Sequence, residues 1–316
     1  MTERKTELDT VAVVSLVLCC AVWGVNQVAV KLALAEVPPL TQAAVRSLGA
    51  ALLVYVWSAR RGIALGRRDG TLRGGVLAGA LFAAEFACIF VGLQFTGASR
   101  MAVFIYLAPF VVALGMPFIS RAERLAPLQM VGLLAAFGGV AYALAEGFTR
   151  PALGPLQWLG DSLGVAAAIL WGATTLAIRG TALARAPAEK TLLYQLAVSG
   201  VLLALAVPFA GEPWPARLSA EVIALLLFQT VIVTFASYLL WFWLIAHYPA
   251  TPLSAFTLLT PVFGLLAGAM LLGEPVTTRL IIALAAVVAG IYIVNRPTAW
   301  RRPARRVDEP GRPDAL

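Results

Sequence analysis

Charge is what this chain lacks most. Of its 316 residues only 13% are charged and 60% are hydrophobic, whereas a soluble domain carries about 25% charged residues. The mean hydropathy is +0.86. About half of the usual solvated surface is missing, so the solvent of the folded chain is a bilayer. Histidine occurs once, at His247, and cysteine three times, at Cys19, Cys20 and Cys88, all three cysteines within apolar runs. An odd count without metal-ligand spacing excludes a disulfide framework and a zinc site. There is no phosphate-binding glycine loop with lysine, no G-x-S-x-G and no H-E-x-x-H. These absences remove the usual routes to nucleotide hydrolysis, acyl transfer and metalloproteolysis. An ATP-driven pump would need a nucleotide domain that the chain has no room for. The expectation is no enzyme, no metal and no cofactor.

What is present is a series of long apolar runs. A helix needs about 20 apolar residues to cross the hydrocarbon core. That criterion gives ten spans: 11–33, 38–58, 72–94, 98–119, 127–146, 158–180, 190–210, 219–246, 250–272 and 278–295. The breaks carry helix-stopping residues such as Pro38-Pro39, Pro127, Pro187, Pro249 and Gly273-Glu274-Pro275. The segment before the first run is polar and mixed in charge, and the run itself is too long for a signal-peptide core, so it is expected to stay as the first helix.

The formal net charge is +8, but its distribution argues for membrane orientation and against nucleic acid. With the N-terminus in the cytoplasm, 18 basic residues fall on the inner side, including Arg60, Arg61, Arg67, Arg68, Arg121, Arg124, Arg179 and Arg185. Five fall outside: Lys31, Arg100, Arg150, Arg217 and Arg279. Such a bias sets topology, so both termini are expected in the cytoplasm and the chain in the cell inner membrane. The basic tail, 296–316, reads either as a contact for anionic lipid heads or as a plain disordered tail.

The chain also repeats itself. Trp23-Gly24 recurs as Trp171-Gly172, 148 residues on, and the seventh residue after each glycine is basic: Lys31, then Arg179. Leu107-Ala108-Pro109-Phe110 matches Leu259-Thr260-Pro261-Val262, 152 residues on. One five-span unit is therefore duplicated, and because five is odd the second copy enters the membrane from the opposite side. Inverted repeats of this kind underlie alternating access in transporters. The expected organisation is an all-α membrane protein of ten transmembrane helices in two inverted five-helix repeats. These occupy 11–146 and 158–295, after a cytoplasmic segment 1–10 and joined by a periplasmic linker 147–157.

A few polar and aromatic residues interrupt the spans. Glu85 and Arg46 lie at matching depths, roughly 12–14 Å below the outer boundary at ~1.5 Å per residue. They read either as a buried ion pair locking spans 2 and 3 or, for Glu85, as a group for substrate or protons. Thr230, Thr234, Ser237 and Trp241 follow helical spacing along one face of span 8, with Tyr238 beside them. That stripe reads as a cavity wall, although hydroxyls also bond back to their own helix. Asn26 and Gln27, and at the symmetric site Thr174 and Thr175, add amides and hydroxyls next to Trp23 and Trp171. Tyr106 precedes Pro109, and Thr257 and Thr260 precede Pro261; each proline is expected to kink its helix and free carbonyls. The glycine of each Trp-Gly pair is expected to let its helix bend.

The ten spans, the two repeats, Trp23-Gly24 with Lys31, Arg46 early in span 2, Pro109, Pro261 and Gly273-Glu274-Pro275 together resemble the EamA-type exporters of the drug/metabolite transporter superfamily. Within it the chain is most similar to bacterial exporters of aromatic and other neutral amino acids. The resemblance implies a central cavity lined by spans 1, 3, 4, 6, 8 and 9. It implies a monomeric secondary transporter with a small-molecule substrate and lipid as its other partner. A drug or nucleobase-type metabolite exporter and a non-transporting receptor or scaffold are the alternatives. The halves are not chemically equivalent, because Tyr194 stands where the second repeat would carry a counterpart of Arg46.

Overall fold

In lipid the backbone has no water to bond to, so a crossing segment must satisfy its own amides, and a helix does so. The computed structural model describes residue 5 and residues 7–296, apart from 94, 97, 144, 146–153, 214, 216 and 273–277. Among the described residues there is helix and loop and no strand. The expected linker lies mostly outside the described residues; the Gly273-Glu274-Pro275 turn and the tail from 297 on lie wholly outside them.

The first half holds α1 (Thr10–Ala33), α2 (Pro39–Arg60), α3 (Thr71–Leu93), α4 (Ala98–Ile105), α5 (Ala108–Ile119) and α6 (Pro127–Ala143). The second holds α7 (Gln157–Gly180), α8 (Ala188–Ala206), α9 (Ala220–Leu227) and α10 (Tyr238–His247), then α11 (Ala250–Phe256), α12 (Thr260–Leu272) and α13 (Thr278–Val294). Among the described residues seven stretches of helix are long and apolar enough to cross a membrane, the longest being Ala220–His247 with 28 residues. Val103–Ile119, Pro127–Tyr142 and Leu284–Val294 are shorter apolar helices. Mid-helix apolar residues such as Leu52, Leu114 and Leu134 are exposed, as suits side chains that meet acyl chains.

Two expected spans are interrupted. Span 4 breaks at Tyr106-Leu107, between α4 and α5. Span 9 passes through a single 3₁₀ turn, Thr257–Leu259, between α11 and α12. In both, the proline expected to kink a continuous helix stands instead in the first turn of a new one, Pro109 in α5 and Pro261 in α12. A missing N–H costs nothing in that position. A third departure is the π-helix over Phe228–Ser237, joining α9 to α10. Its wider turn shifts the start of the expected stripe: Thr234, Ser237 and Trp241 are buried as expected, and Gln229 takes the inward place expected of Thr230. Gln229, Val233, Thr234 and Ser237 point inward, while the Thr230 hydroxyl bonds back to the Leu226 carbonyl at 2.7 Å.

The helices pack in a few extensive pairs: α6 on α13, α2 on α8, α3 on α7 and α8, α1 on α12 and the π-segment, and α4 and α5 on α7. The main core gathers Leu16, Ala50, Tyr106, Leu196, Trp241, Leu253 and Val287 from seven different helices or the joints between them.

Candidate functional site: the centre of the bundle and its two ends

The indole N–H of Trp23 donates to Ser237 Oγ at 2.8 Å, and Ser237 Oγ in turn donates to the Val233 carbonyl at 2.6 Å. The Trp23 ring meets Tyr238 and Trp241 edge to face, at centroid separations of 6.0 and 5.4 Å, geometries that aromatic quadrupoles favour. Phe82 on α3 adds a further edge to Tyr238 at 6.4 Å. On the other side Trp171 meets Tyr106 at 5.9 Å. The groups share Trp241, which with Trp171, Thr175, Thr257, Ser254 and Pro109 lines one pocket. That pocket has no space for a water-sized sphere, so the centre is packed shut between Trp171 and Trp241 in this conformation.

The polar residues expected there divide into two kinds. Thr174, Thr175 and Thr257 spend their hydroxyls on Leu170, Trp171 and Ser254 carbonyls, at 2.9, 3.5 and 2.6 Å. Asn26 Oδ1, Thr234 Oγ1 and Thr260 Oγ1 are buried without a hydrogen-bond partner. Beside Thr260 stand Tyr106 and Cys20, and the Cys20 thiol donates at 3.3 Å to the Phe256 carbonyl at the break in span 9. The side chains of Gln27 and Lys31 lie outside the described residues.

Arg46 and Glu85 are 5% and 6% exposed, yet they do not form the direct ion pair expected. The Arg46 guanidinium lies over the Phe86 ring, 4.7 Å from its centroid. Its helix face is turned toward the π-segment: Gln42, one turn before, accepts from Gln229 at 3.3 Å, and Gly49, one turn after, abuts Thr230. Glu85 Oε2 and Arg46 Nε are both buried without partners.

Glycine in the Trp-Gly pairs has a different use from the one expected. α1 and α7 run unbroken through Gly24 and Gly172. A Cβ on Gly24 would stand 2.6 Å from Phe263 Cβ and Gly264 N on α12, and one on Gly172 2.5 Å from Val111 Cβ on α5. Phe263 and Val111 each follow the proline of their helix by two residues. The glycines therefore allow close helix crossings rather than a bend.

The end of the bundle where α1 starts is latched by charge. Glu123, in the turn after α5, pairs with Arg179 at the end of α7, and both side chains are almost fully buried. Glu123 Oε2 also accepts from the Ala250 and Thr251 amides at 2.6 and 3.3 Å, at the start of α11. Arg179 Nη1 donates to the carbonyls of Ile245 and Tyr248 at 2.8 and 3.4 Å. The Tyr248 hydroxyl donates to Asp9 at 2.9 Å, and Asp9 caps α1 through the Ala12 amide and pairs with Lys5. Through Tyr248, the start of α1 and the end of α7 meet at one end. Sequence reasoning misses Glu123, because Arg121-Ala122-Glu123-Arg124 looks like ordinary loop charge. A signal does exist: Glu123 precedes Glu274 of the Gly-Glu-Pro turn by 151 residues, within the repeat offset.

Two further contacts join the halves reciprocally. Glu212, before α9, accepts from the Leu40 and Thr41 amides, both at 2.9 Å, at the start of α2. Asp69, before α3, accepts from Lys190 Nζ at 2.9 Å, at the start of α8. A hydrogen bond from Thr71, then one from Lys190, pull Asp69 from its ordinary 3.8 down to about 2. Hydrogen bonds from Lys5 and from the Ala12 amide do the same for Asp9, also down to about 2. A depressed carboxylate contributes stability above its unfolded pKa and loses it as pH falls through the folded one. The thermal-midpoint difference between wild type and Asp69→Asn is thus expected to stay constant from about pH 8 to 5. It should shrink only between 3.8 and about 2.

Apolar helices latched at one end by buried charge, with aromatic and polar groups gathered at the centre, define a multi-pass membrane transporter. The model of the EamA-like transporter family matches residues 10–145 and again 158–296, and the chain belongs to that family, whose members are transporters and not enzymes. It is 27% identical to a probable amino-acid metabolite efflux pump of Salmonella typhimurium, over 91% of this chain and 96% of that one. With an uncharacterised transporter of Bacillus subtilis it shares 26% identity, over 89% and 90%. A protein of known crystal structure shares the fold, with a TM-score of 0.76 over 88% of this chain and 94% of that one at 19% identity.

Proposed function

We propose that the protein exports amino acids, aromatic or other neutral ones, or closely related metabolites across the inner membrane by alternating access. The observation that carries this reading is the closed aromatic centre of Trp23, Tyr238, Trp241, Trp171 and Tyr106, held above a charged latch. Indoles and phenols take up an aromatic or aliphatic side chain, while hydroxyls and amides orient the polar end. The efflux-pump name of the Salmonella relative supports the substrate class.

The mechanism rests on ten helices in two inverted repeats, 11–146 and 158–295, with linker 147–157 outside and the segments 1–10 and 296–316 in the cytoplasm. Three observations support it: the family model matches twice, α1 begins and α7 ends at one end, and the Gly24 and Gly172 crossings correspond residue for residue. On this topology the Glu123–Arg179 latch is the inner gate, and the conformation described is closed to the cytoplasm. Substrate entering from the cytoplasm requires that latch to part, and resealing it commits the substrate to release outside.

Counterflow in proteoliposomes loaded with labelled phenylalanine, tryptophan, methionine or threonine, with and without a pH gradient, tests the reading. Exchange of the aromatic amino acids is expected. If all four fail while a nucleobase or drug exchanges, the amino-acid reading is wrong.

A further inference from the structure

Two opposite charges at one depth in a lipid-embedded bundle would ordinarily neutralise each other, because an uncompensated ion in a low dielectric is costly. Arg46 and Glu85 are both buried, and the Arg46 guanidinium rests on Phe86, the residue next to Glu85, yet no ion pair within 4.0 Å joins them. Arg46 offers its fork with one face already resting on Phe86. Glu85 offers Oε2 without a donor. Asn26 Oδ1 on α1 and Thr234 Oγ1 on the π-segment, which packs on α2, are likewise buried without a partner. Phe86, on which Arg46 rests, meets Phe82 at 4.8 Å, and Phe82 meets Tyr238, whose ring also meets Trp23. The charges thus flank one wall of the aromatic group rather than a patch of inert core.

We propose that Arg46 and Glu85 are the two poles of a zwitterion site, with Arg46 taking the carboxylate and Glu85 the ammonium of an α-amino acid. This rests on the exporter reading above. A guanidinium matches a carboxylate with two parallel hydrogen bonds, and the Glu85 carboxylate supplies acceptors for an ammonium, which has only donors to give. The two substrate charges are separated by one carbon, which suits receiving charges that are close but not paired. An aromatic substrate ring then lies against Trp23, Tyr238 and Trp241. The second repeat has Tyr194 where Arg46 would recur, and Tyr194 is packed on Gly75 of α3, so the site is single and the substrate has one orientation. The site also explains selection: a compound lacking one pole leaves a buried protein charge unanswered, and sites built on such groups reject the incomplete analogue by on the order of 100-fold or more.

The test is counterflow with phenylalanine, with phenethylamine, which lacks the carboxylate, and with 3-phenylpropionate, which lacks the ammonium. Wild type, Arg46→Gln and Glu85→Gln are compared, with Arg46→Lys and Glu85→Asp as charge-keeping variants and size-exclusion profiles to confirm folding. Wild type is expected to prefer phenylalanine by on the order of 100-fold. Arg46→Gln should raise the KM for phenylalanine about as much and leave phenethylamine unchanged or improved. Glu85→Gln should do the same with 3-phenylpropionate spared. Arg46→Lys keeps the charge but loses the fork and should weaken phenylalanine while sparing phenethylamine. Glu85→Asp should weaken phenylalanine while sparing 3-phenylpropionate. That selective loss decides the matter if a glutamine variant fails to fold. Variants that keep the phenylalanine KM, or lose all three compounds in equal proportion, overturn the site and leave the exporter reading intact. Folded wild type that exchanges no amino acid overturns the exporter reading and the site together.

Discussion

Glu123→Ala is expected to destabilise the folded protein by about 3–5 kcal/mol, the usual consequence of removing one partner from a buried ion pair. Arg179 would be left almost fully buried with only the Ile245 and Tyr248 carbonyls to answer its charge. The Ala250 and Thr251 amides would also lose their acceptor. Part of the loss falls on the closed state alone, and about 3 kcal/mol there moves the closed-to-open ratio roughly 100-fold. Thermal unfolding in detergent should show a large drop, and counterflow should fall with it. Arg179→Ala should cost a similar amount, and the double variant much less than the sum, because the two share one interaction. Lys5→Ala is the contrast. Its ion pair with Asp9 is exposed, at 55% and 38%, and solvent-screened pairs of this kind contribute little to stability. A Lys5→Ala loss as large as that of Glu123→Ala would show that burial is not what gives the latch its strength.

The second large effect is expected at the helix crossings. Gly24→Ala places a methyl 2.6 Å from Phe263 Cβ and from the Gly264 backbone, and a backbone cannot step aside as a side-chain tip can. Overpacking of this kind costs about 1–3 kcal/mol, and the upper part of that range is expected. Gly172→Ala should behave alike, since its methyl would meet Val111 at 2.5 Å. Gly138→Ala, on α6, is the control: nothing lies within 4 Å of its Cβ position. There alanine should be neutral or stabilising by up to ~1 kcal/mol through helix propensity. Unfolding midpoints of the three variants, measured side by side, decide the matter. Equal midpoints would mean that the crossings are looser than these distances require.

Several features are legible in the amino-acid sequence, for a physical reason. Helix ends such as Ala33, Ile119, Pro127 and Gly180 fall where apolar length runs out or a breaker stands, because lipid permits little else. The aromatic partners of Trp23 are also legible, as Ser237, Tyr238 and Trp241 lie together along one helix. The π-segment is not. Hydrogen-bond register leaves no trace in composition, and Phe228–Ser237 reads like any apolar helix. Nor can depth alone settle Arg46 and Glu85: equal depth allows a pair, but the Phe86 ring and the turn of α2 toward Gln229 set the guanidinium elsewhere. Glu123 is hidden because its partners stand 56 and 127 residues away. Only the repeat, which sets it against Glu274, gives a hint.

The central claim is that the bundle opens at one end at a time. It is tested most directly by placing a cysteine at Ser254, in the central pocket, after replacing Cys19, Cys20 and Cys88 by alanine. Oriented vesicles are then treated with a membrane-impermeant maleimide from each side, with phenylalanine present. With the Glu123–Arg179 latch intact, labelling is expected only from the outer side and only as the protein cycles out of the packed conformation, and Glu123→Ala should shift it to the cytoplasmic side. Labelling at equal rates from both sides in the same preparation, or no change of side on breaking the latch, would contradict it.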